Sequence, residues 1–289
     1  MPPPNFAVPS ATTLRQARRL LHWWLRPRVP AASLAWLEQA CRETLDGPDR
    51  QFFMNFSAAC RHFQHKPMDL TGHDESQAGR VRDGWAPALW TDEQAARTAI
   101  LLHRDPRNAA RWLREVQSLF ENGDLGEQMA LYQALPLLPH PEALVERCAE
   151  GVRSNMVDVF KSVAHRNPYP SEYLAEPAWN QMVLKALFVE VLLAPIEGLD
   201  ERANPNLARM ICDFAEERWA AKRPVSPEAW RCVGPHADSR GVAVLERAWV
   251  EGDGATREAA ADALRHCPWP EADYALQRHG LRREEGDPS

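Results

Sequence analysis

Trp179-Asn-Gln-Met-Val-Leu-Lys-Ala-Leu-Phe-Val-Glu-Val-Leu-Leu193, followed by the polar connector Gly198-Leu-Asp-Glu-Arg-Ala-Asn204, carries the clearest helical signal in the chain. The first string is apolar around most of a helical circumference and predicts a helix over 177–193, covered on several sides as a central helix would be. A second helix, 205–222, carries a core stripe of Leu207, Met210, Ile211 and Phe214, with Arg209 and Asp213 spaced i,i+4 on the opposite arc. Lys185 is one of four lysines against thirty arginines, and it falls among Met182, Leu184, Phe188 and Leu192. Its ammonium has three options: to snorkel to water, to pair with Asp158, Glu197, Asp200 or Asp213, or to bind a ligand.

The same 3.6-residue period recurs nearly everywhere else in the chain, and no long run alternates with period two. It predicts helices at 11–26, 31–46, 49–64, 74–83, 91–103, 106–121, 124–135, 141–151, 153–165, 177–193, 205–222, 227–233, 238–250, 255–266 and 270–279. Thr91-Asp-Glu-Gln94 reads as a capping box. Asp105-Pro106, Asn204-Pro205 and Ser226-Pro227 each set a good N-cap before proline, and His140-Pro141 and Glu176-Pro177 repeat the plan with poorer caps. The two prolines of Asn167-Pro-Tyr-Pro170 predict an extended or turn conformation for Tyr169.

The resulting fold class is all-α, an irregular α-solenoid or HEAT-like stack of antiparallel helix pairs, with a compact bundle as the alternative. The expected organisation is one elongated helical domain over 9–281 between disordered tails at 1–8 and 282–289. The irregular stretch 65–90 would subdivide it into 9–64 and 91–281.

Composition narrows the classes of function. The chain has 289 residues, 45% hydrophobic and 26% charged, which is ordinary for a soluble protein, and its net charge of −6 with scattered basic residues argues against a nucleic-acid partner. The N-terminal sequence lacks a basic region followed by an apolar one, so no secretory signal is expected. The longest apolar run, about 182–196, is interrupted by Lys185 and Glu190 and is too short for a membrane span, which points to a cytoplasmic protein. The six cysteines show no Cys-x-x-Cys pairing and are expected to be buried small apolar residues.

No phosphate-binding glycine loop, nucleophile elbow or zinc-protease motif occurs, so no catalytic residues, no cofactor and no metal site are expected. His62 and His65, three apart, lack a clear third ligand and read as surface residues. The eleven tryptophans read mainly as helix-to-helix packing, with an aromatic groove as the other possibility.

Six strings, in order over about 90 residues, carry a family resemblance: Gly151-Val-Arg-Ser-Asn-Met156, Asn167-Pro-Tyr-Pro170, Trp179-Asn-Gln-Met-Val-Leu-Lys-Ala-Leu-Phe188, Gly198-Leu-Asp-Glu-Arg-Ala-Asn204, Glu217-Arg-Trp-Ala-Ala221 and Trp230-Arg-Cys-Val-Gly-Pro235. With them the chain resembles the EboA family, the metabolite-traffic proteins of the ebo operon of cyanobacteria and other bacteria. The resemblance implies a soluble helical protein acting with other ebo-operon proteins. In cyanobacteria that operon is linked to moving a precursor of the pigment scytonemin to the periplasm. No catalytic residues carry over.

The leading expectation is therefore a non-enzymatic cytoplasmic adaptor or carrier in secondary-metabolite traffic, taking a small aromatic or lipophilic metabolite, a partner protein, or both. Polar groups dense in an apolar region nominate Arg153, Asn155, Asn167, Tyr169, Asn180, Lys185, Asp200, Arg202 and Asn204 as ligand-binding. Two alternatives stay open: an enzyme with Lys185 as base or Schiff-base nucleophile, and a pure helical scaffold for proteins.

Overall fold

The computed structural model describes residues 8–282, and every regular element in it is helical. The chain is all-α, and among the described residues the sole β feature is an isolated bridge between Pro67 and Thr91. The tails expected to be disordered, 1–8 and 282–289, lie outside the described residues apart from Val8 and Arg282. Two compact units meet in sequence between Ala175 and Glu176.

The first unit holds α1 (Ala11–Leu25), α2 (Ala31–Asp46), α3 (Asp49–His62), α4 (Gly72–Val81), α5 (Asp92–His103), α6 (Ala109–Asn122), α7 (Leu125–Ala134), α8 (Val145–Arg153), α9 (Val157–Ala164) and α10 (Tyr169–Tyr173). The second holds α11 (Glu176–Phe188), α12 (Pro205–Ala220), α13 (Ala229–Val233), α14 (Ser239–Glu251), α15 (Gly254–Arg265) and α16 (Pro270–Arg278). Residues 65–90 lie within the first unit.

Caps explain why most starts were legible. Thr91 accepts from the Gln94 N–H while Gln94 accepts from the Thr91 N–H at 2.8 Å, and Thr71/Asp74 and Asp124/Glu127 form the same box. Asn204 accepts from the Leu207 N–H at 2.9 Å, with Pro205 opening α12.

Four expected helix starts and turns are corrected. Helix α6 starts at Ala109 with Asn108 as its cap, because the Asp105 carboxylate turns to Arg107 instead. His140 adopts φ +55°, and Pro141–Leu144 is a 3-10 turn before α8. Pro227 precedes α13 by a turn rather than opening it. Tyr169–Tyr173 is a short helix despite its prolines: Pro170 stands in the first turn, where its missing N–H has no intrahelical partner to lose.

The central helix is α5, where every residue from Asp92 to Leu102 is buried. Helices α1, α2, α3 and α7 pack on it, and Ala95, Ala96 and Ala99 let their backbones approach. Charge is buried here too. Arg97 bonds Glu93 at 2.8 Å and lies over the Phe56 ring. Arg104 makes a two-pronged contact with Glu115, at 2.7 and 2.6 Å, and donates to the carbonyls of Thr44 and Gly47 at 3.0 and 2.9 Å.

In the second unit α11 packs on α12, α12 on α13 and α14, and α14 and α15 form a helical hairpin with α16 beside it. The reading of 177–193 as one fully covered helix is corrected: α11 ends at Phe188 and buries a single face, formed by Trp179, Asn180, Met182, Val183, Ala186 and Leu187. The helix closes in a Schellman motif, with Glu190 at φ +57° and the Val191 N–H bonded to the Ala186 carbonyl at 2.8 Å. The chain then runs irregularly, and the Glu228 carboxylate accepts the amides of Leu193 and Ala194 at 2.7 and 3.1 Å. Apolar composition fitted a longer helix, but a side chain from α13's approach captures the backbone donors instead.

Candidate functional site

On the second unit, the exposed face of α11 and the adjoining face of α12 make an open groove of about 420 Å³. Leu184, Phe188, Met210 and Phe214 give its apolar walls, and Lys185 stands among them with Asp213 and Glu217 on the α12 side. Phe188 is 68% exposed, far more than a packed helical phenylalanine would be. Lys185 is half-buried, and loss of hydration lowers its pKa from the ordinary lysine value.

The other nominated residues lie elsewhere. Asn180 and Asn204 form a reciprocal amide pair, at 3.2 and 2.8 Å, which locks the connector onto α11, and the Arg202 guanidinium lies over the Trp179 ring at 4.8 Å. These three are brought together, with the two asparagine amides bonded to each other. Asp200 makes a two-pronged ion pair with Arg231 beside a separate depression of about 240 Å³.

In the first unit, Asn167 is buried and donates to the carbonyls of Tyr132 and Ser162 at 3.0 and 3.3 Å. It also accepts from the Tyr169 N–H at 3.0 Å. The buried Tyr169 hydroxyl donates to the Pro141 carbonyl, and burial pushes its pKa far up. That string therefore pins α7, α9 and α10 together. Arg153 is exposed and pairs with Glu146 at 2.8 Å, and Asn155 is exposed on the turn before α9.

A constellation that the sequence reading missed lies where α1, α2 and α5 converge. His22, Cys41 and His103 bring one ligand-type atom each within 4.8 Å of one another. Cys41 Sγ is 3.9 Å from His22 Nε2, and the two imidazoles meet edge to face with ring centres 5.7 Å apart. Burial pushes the Cys41 thiol up to about 12 and brings His103 down to about 4, while His22 is lowered by the same cause. A cavity of about 660 Å³ opens beside them, lined by Arg15, Arg18, Arg19, Arg26 and Trp23 with Glu38 as its acid. These ligands stand 19 and 62 positions apart, so no local spacing could have joined them. His62 and His65, the pair that spacing did suggest, are exposed: His62 stacks on Trp36 and His65 faces Glu93 at 3.4 Å. Five of the six cysteines are buried as expected, but Cys60 is exposed, and none is in a disulfide.

No helix among the described residues is long and apolar enough to cross a membrane. A family model described as "Metabolite traffic protein EboA" matches residues 17–234, a range that includes both the groove and the His22–Cys41–His103 cluster. No curated protein and no solved structure matches the chain.

Proposed function

The chain belongs to the EboA family, and from that premise we propose that it is a non-enzymatic carrier or adaptor in metabolite traffic, with the α11–α12 groove as its ligand-binding surface. The observation that carries this reading is the exposed Phe188 facing Leu184, Met210 and Phe214 around one lysine. A groove of about 420 Å³ is in the size range of small-molecule sites. Its walls suit an aromatic or lipophilic body, and Lys185 suits an acidic or carbonyl group on it. The protein would act in the cytoplasm, handing its cargo to other products of the same operon.

Native mass spectrometry of the protein from its own host tests this. The expected result is a retained small molecule, lost in Phe188→Asp and weakened roughly tenfold, about 1.4 kcal/mol, in Lys185→Met. Co-purification of a protein alone, with no small molecule, would favour the scaffold reading. The lowered pKa of Lys185 gives the enzyme reading its one supporting observation. That reading requires Lys185→Met to abolish turnover of the retained compound while leaving its binding intact.

A further inference from the structure

We propose that His22, Cys41 and His103 bind a zinc ion whose fourth coordination position opens into the arginine-lined cavity. Three separate helices deliver the ligands, and their atoms already stand within 4.8 Å of one another. Tetrahedral zinc with Zn–S of about 2.3 Å and Zn–N of about 2.0–2.1 Å places its ligand atoms roughly 3.4 Å apart. The Cys41–His22 separation of 3.9 Å and the 4.8 Å bound exceed that spacing, so binding would draw the three ligands slightly together.

Two details favour ligation over packing. The His103 Nδ1–H donates to the Ala99 carbonyl at 2.7 Å. That bond fixes the tautomer and leaves Nε2 with its lone pair, as backbone carbonyls do for metal-binding histidines. The contact between Cys41 Sγ and His22 Nε2, at 3.9 Å, is long for a hydrogen bond, so it satisfies neither group well. A nitrogen and sulfur donor set of this kind suits zinc rather than calcium or magnesium, which take oxygen ligands.

The open side has its own chemistry. Arg18 lies close to this cluster, and its Nε is buried with no hydrogen-bond partner. With Arg15, Arg19 and Arg26 on the same cavity, it would favour an anionic oxygen ligand, such as a carboxylate, on the fourth position. Binding forms two Zn–N bonds and one Zn–S bond and releases the thiol proton to solvent.

Cobalt(II), added to metal-free full-length protein, reads the site directly. The expected result is one equivalent bound with four-coordinate d–d absorption and a thiolate-to-cobalt band, displaced by zinc. Cys41→Ala should lose the thiolate band, and His22→Gln, altering a half-buried residue, should weaken zinc by more than the roughly 10–100-fold that an outer-shell loss costs. Zinc should also raise the unfolding temperature of the wild type but not of either variant. Circular dichroism confirms that both variants are folded. A wild type without a thiolate-to-cobalt band, or a band unchanged in Cys41→Ala, overturns the proposal. The α11–α12 groove plays no part in the measurement, so the metal site and the carrier reading can fail separately.

Discussion

Replacing Arg104 by methionine should be among the most destabilising single changes in the first unit. The Arg104 and Glu115 side chains are only 3% and 4% exposed, so neither charge can fall back on water. The arginine donates two bonds to Glu115, one each to the carbonyls of Thr44 and Gly47, and one to Asp49 at 2.9 Å. It thereby fastens α5 to α6 and to the α2–α3 turn. Removing one member of a buried pair costs about 3–5 kcal/mol, because the other charge is left in a site built for two. In Arg104→Met the stranded group is Glu115, which keeps one bond from Arg111 at 2.9 Å. That residual bond places the cost toward the lower half of the range. For a unit of this size it corresponds to a fall in Tm on the order of 10 °C. Urea unfolding followed by tryptophan fluorescence and far-UV dichroism measures the loss. The double variant Arg104→Met/Glu115→Leu should recover more than half of it, since no charge remains unpaired. A single-variant cost below about 1 kcal/mol, or a double variant as unstable as the sum of its parts, would show that Arg104 and Glu115 do not depend on each other.

Three further outcomes follow from the geometry. Burial pushes the Asp74 pKa up, but the Thr71 N–H and hydroxyl and the Arg28 guanidinium together hold it below the ordinary 3.8. Its stabilisation is therefore present above that pH and lost as pH falls through the folded-state value: Asp74→Ala should cost about 1–2 kcal/mol at pH 7 and progressively less below about pH 4 in acid-unfolding titrations. Glu228→Ala removes the acceptor of two backbone amides, so hydrogen exchange in 189–197 should accelerate by an amount equivalent to roughly 1.5–3 kcal/mol while α14 stays protected. A Cβ on Gly151 would stand 2.5 Å from Val163 and 2.6 Å from Tyr132, so Gly151→Ala should cost about 1–3 kcal/mol by thermal denaturation.

Legibility differed between the fold and the site, for reasons visible in single residues. The capping boxes, proline starts and apolar stripes act over three or four residues, and Thr91 and Asn204 cap where the spacing puts them. The expected core stripe of 205–222 is only half right: Leu207 and Ile211 are buried with Ala208, Cys212 and Ala215, while Met210 and Phe214 are half-buried on the groove. Tyr169 went the other way, because the rule that proline breaks helices says nothing about a proline in the first turn. Lys185 stands out in its string, but its groove depends on which face of α11 remains open, and α11 ends at Phe188 in a left-handed closure at Glu190, with Glu228 taking the amides of Leu193 and Ala194 beyond it. Asn167 and Tyr169 attracted attention as polar groups in an apolar region. Their donors turn out to bond the carbonyls of Tyr132, Ser162 and Pro141, partners the string itself does not contain.

The helical class, most helix starts and the family follow from short-range pattern alone: period, cap and contiguous string. Tertiary structure alone decided that α5 rather than α11 is enclosed, that Arg97 and Arg104 are buried among acids, and that His22, Cys41 and His103 share one point in space. Burial and convergence are properties of segments far apart in the chain, and they come into being only when helices with small faces such as Ala95, Ala96 and Ala99 close upon one another.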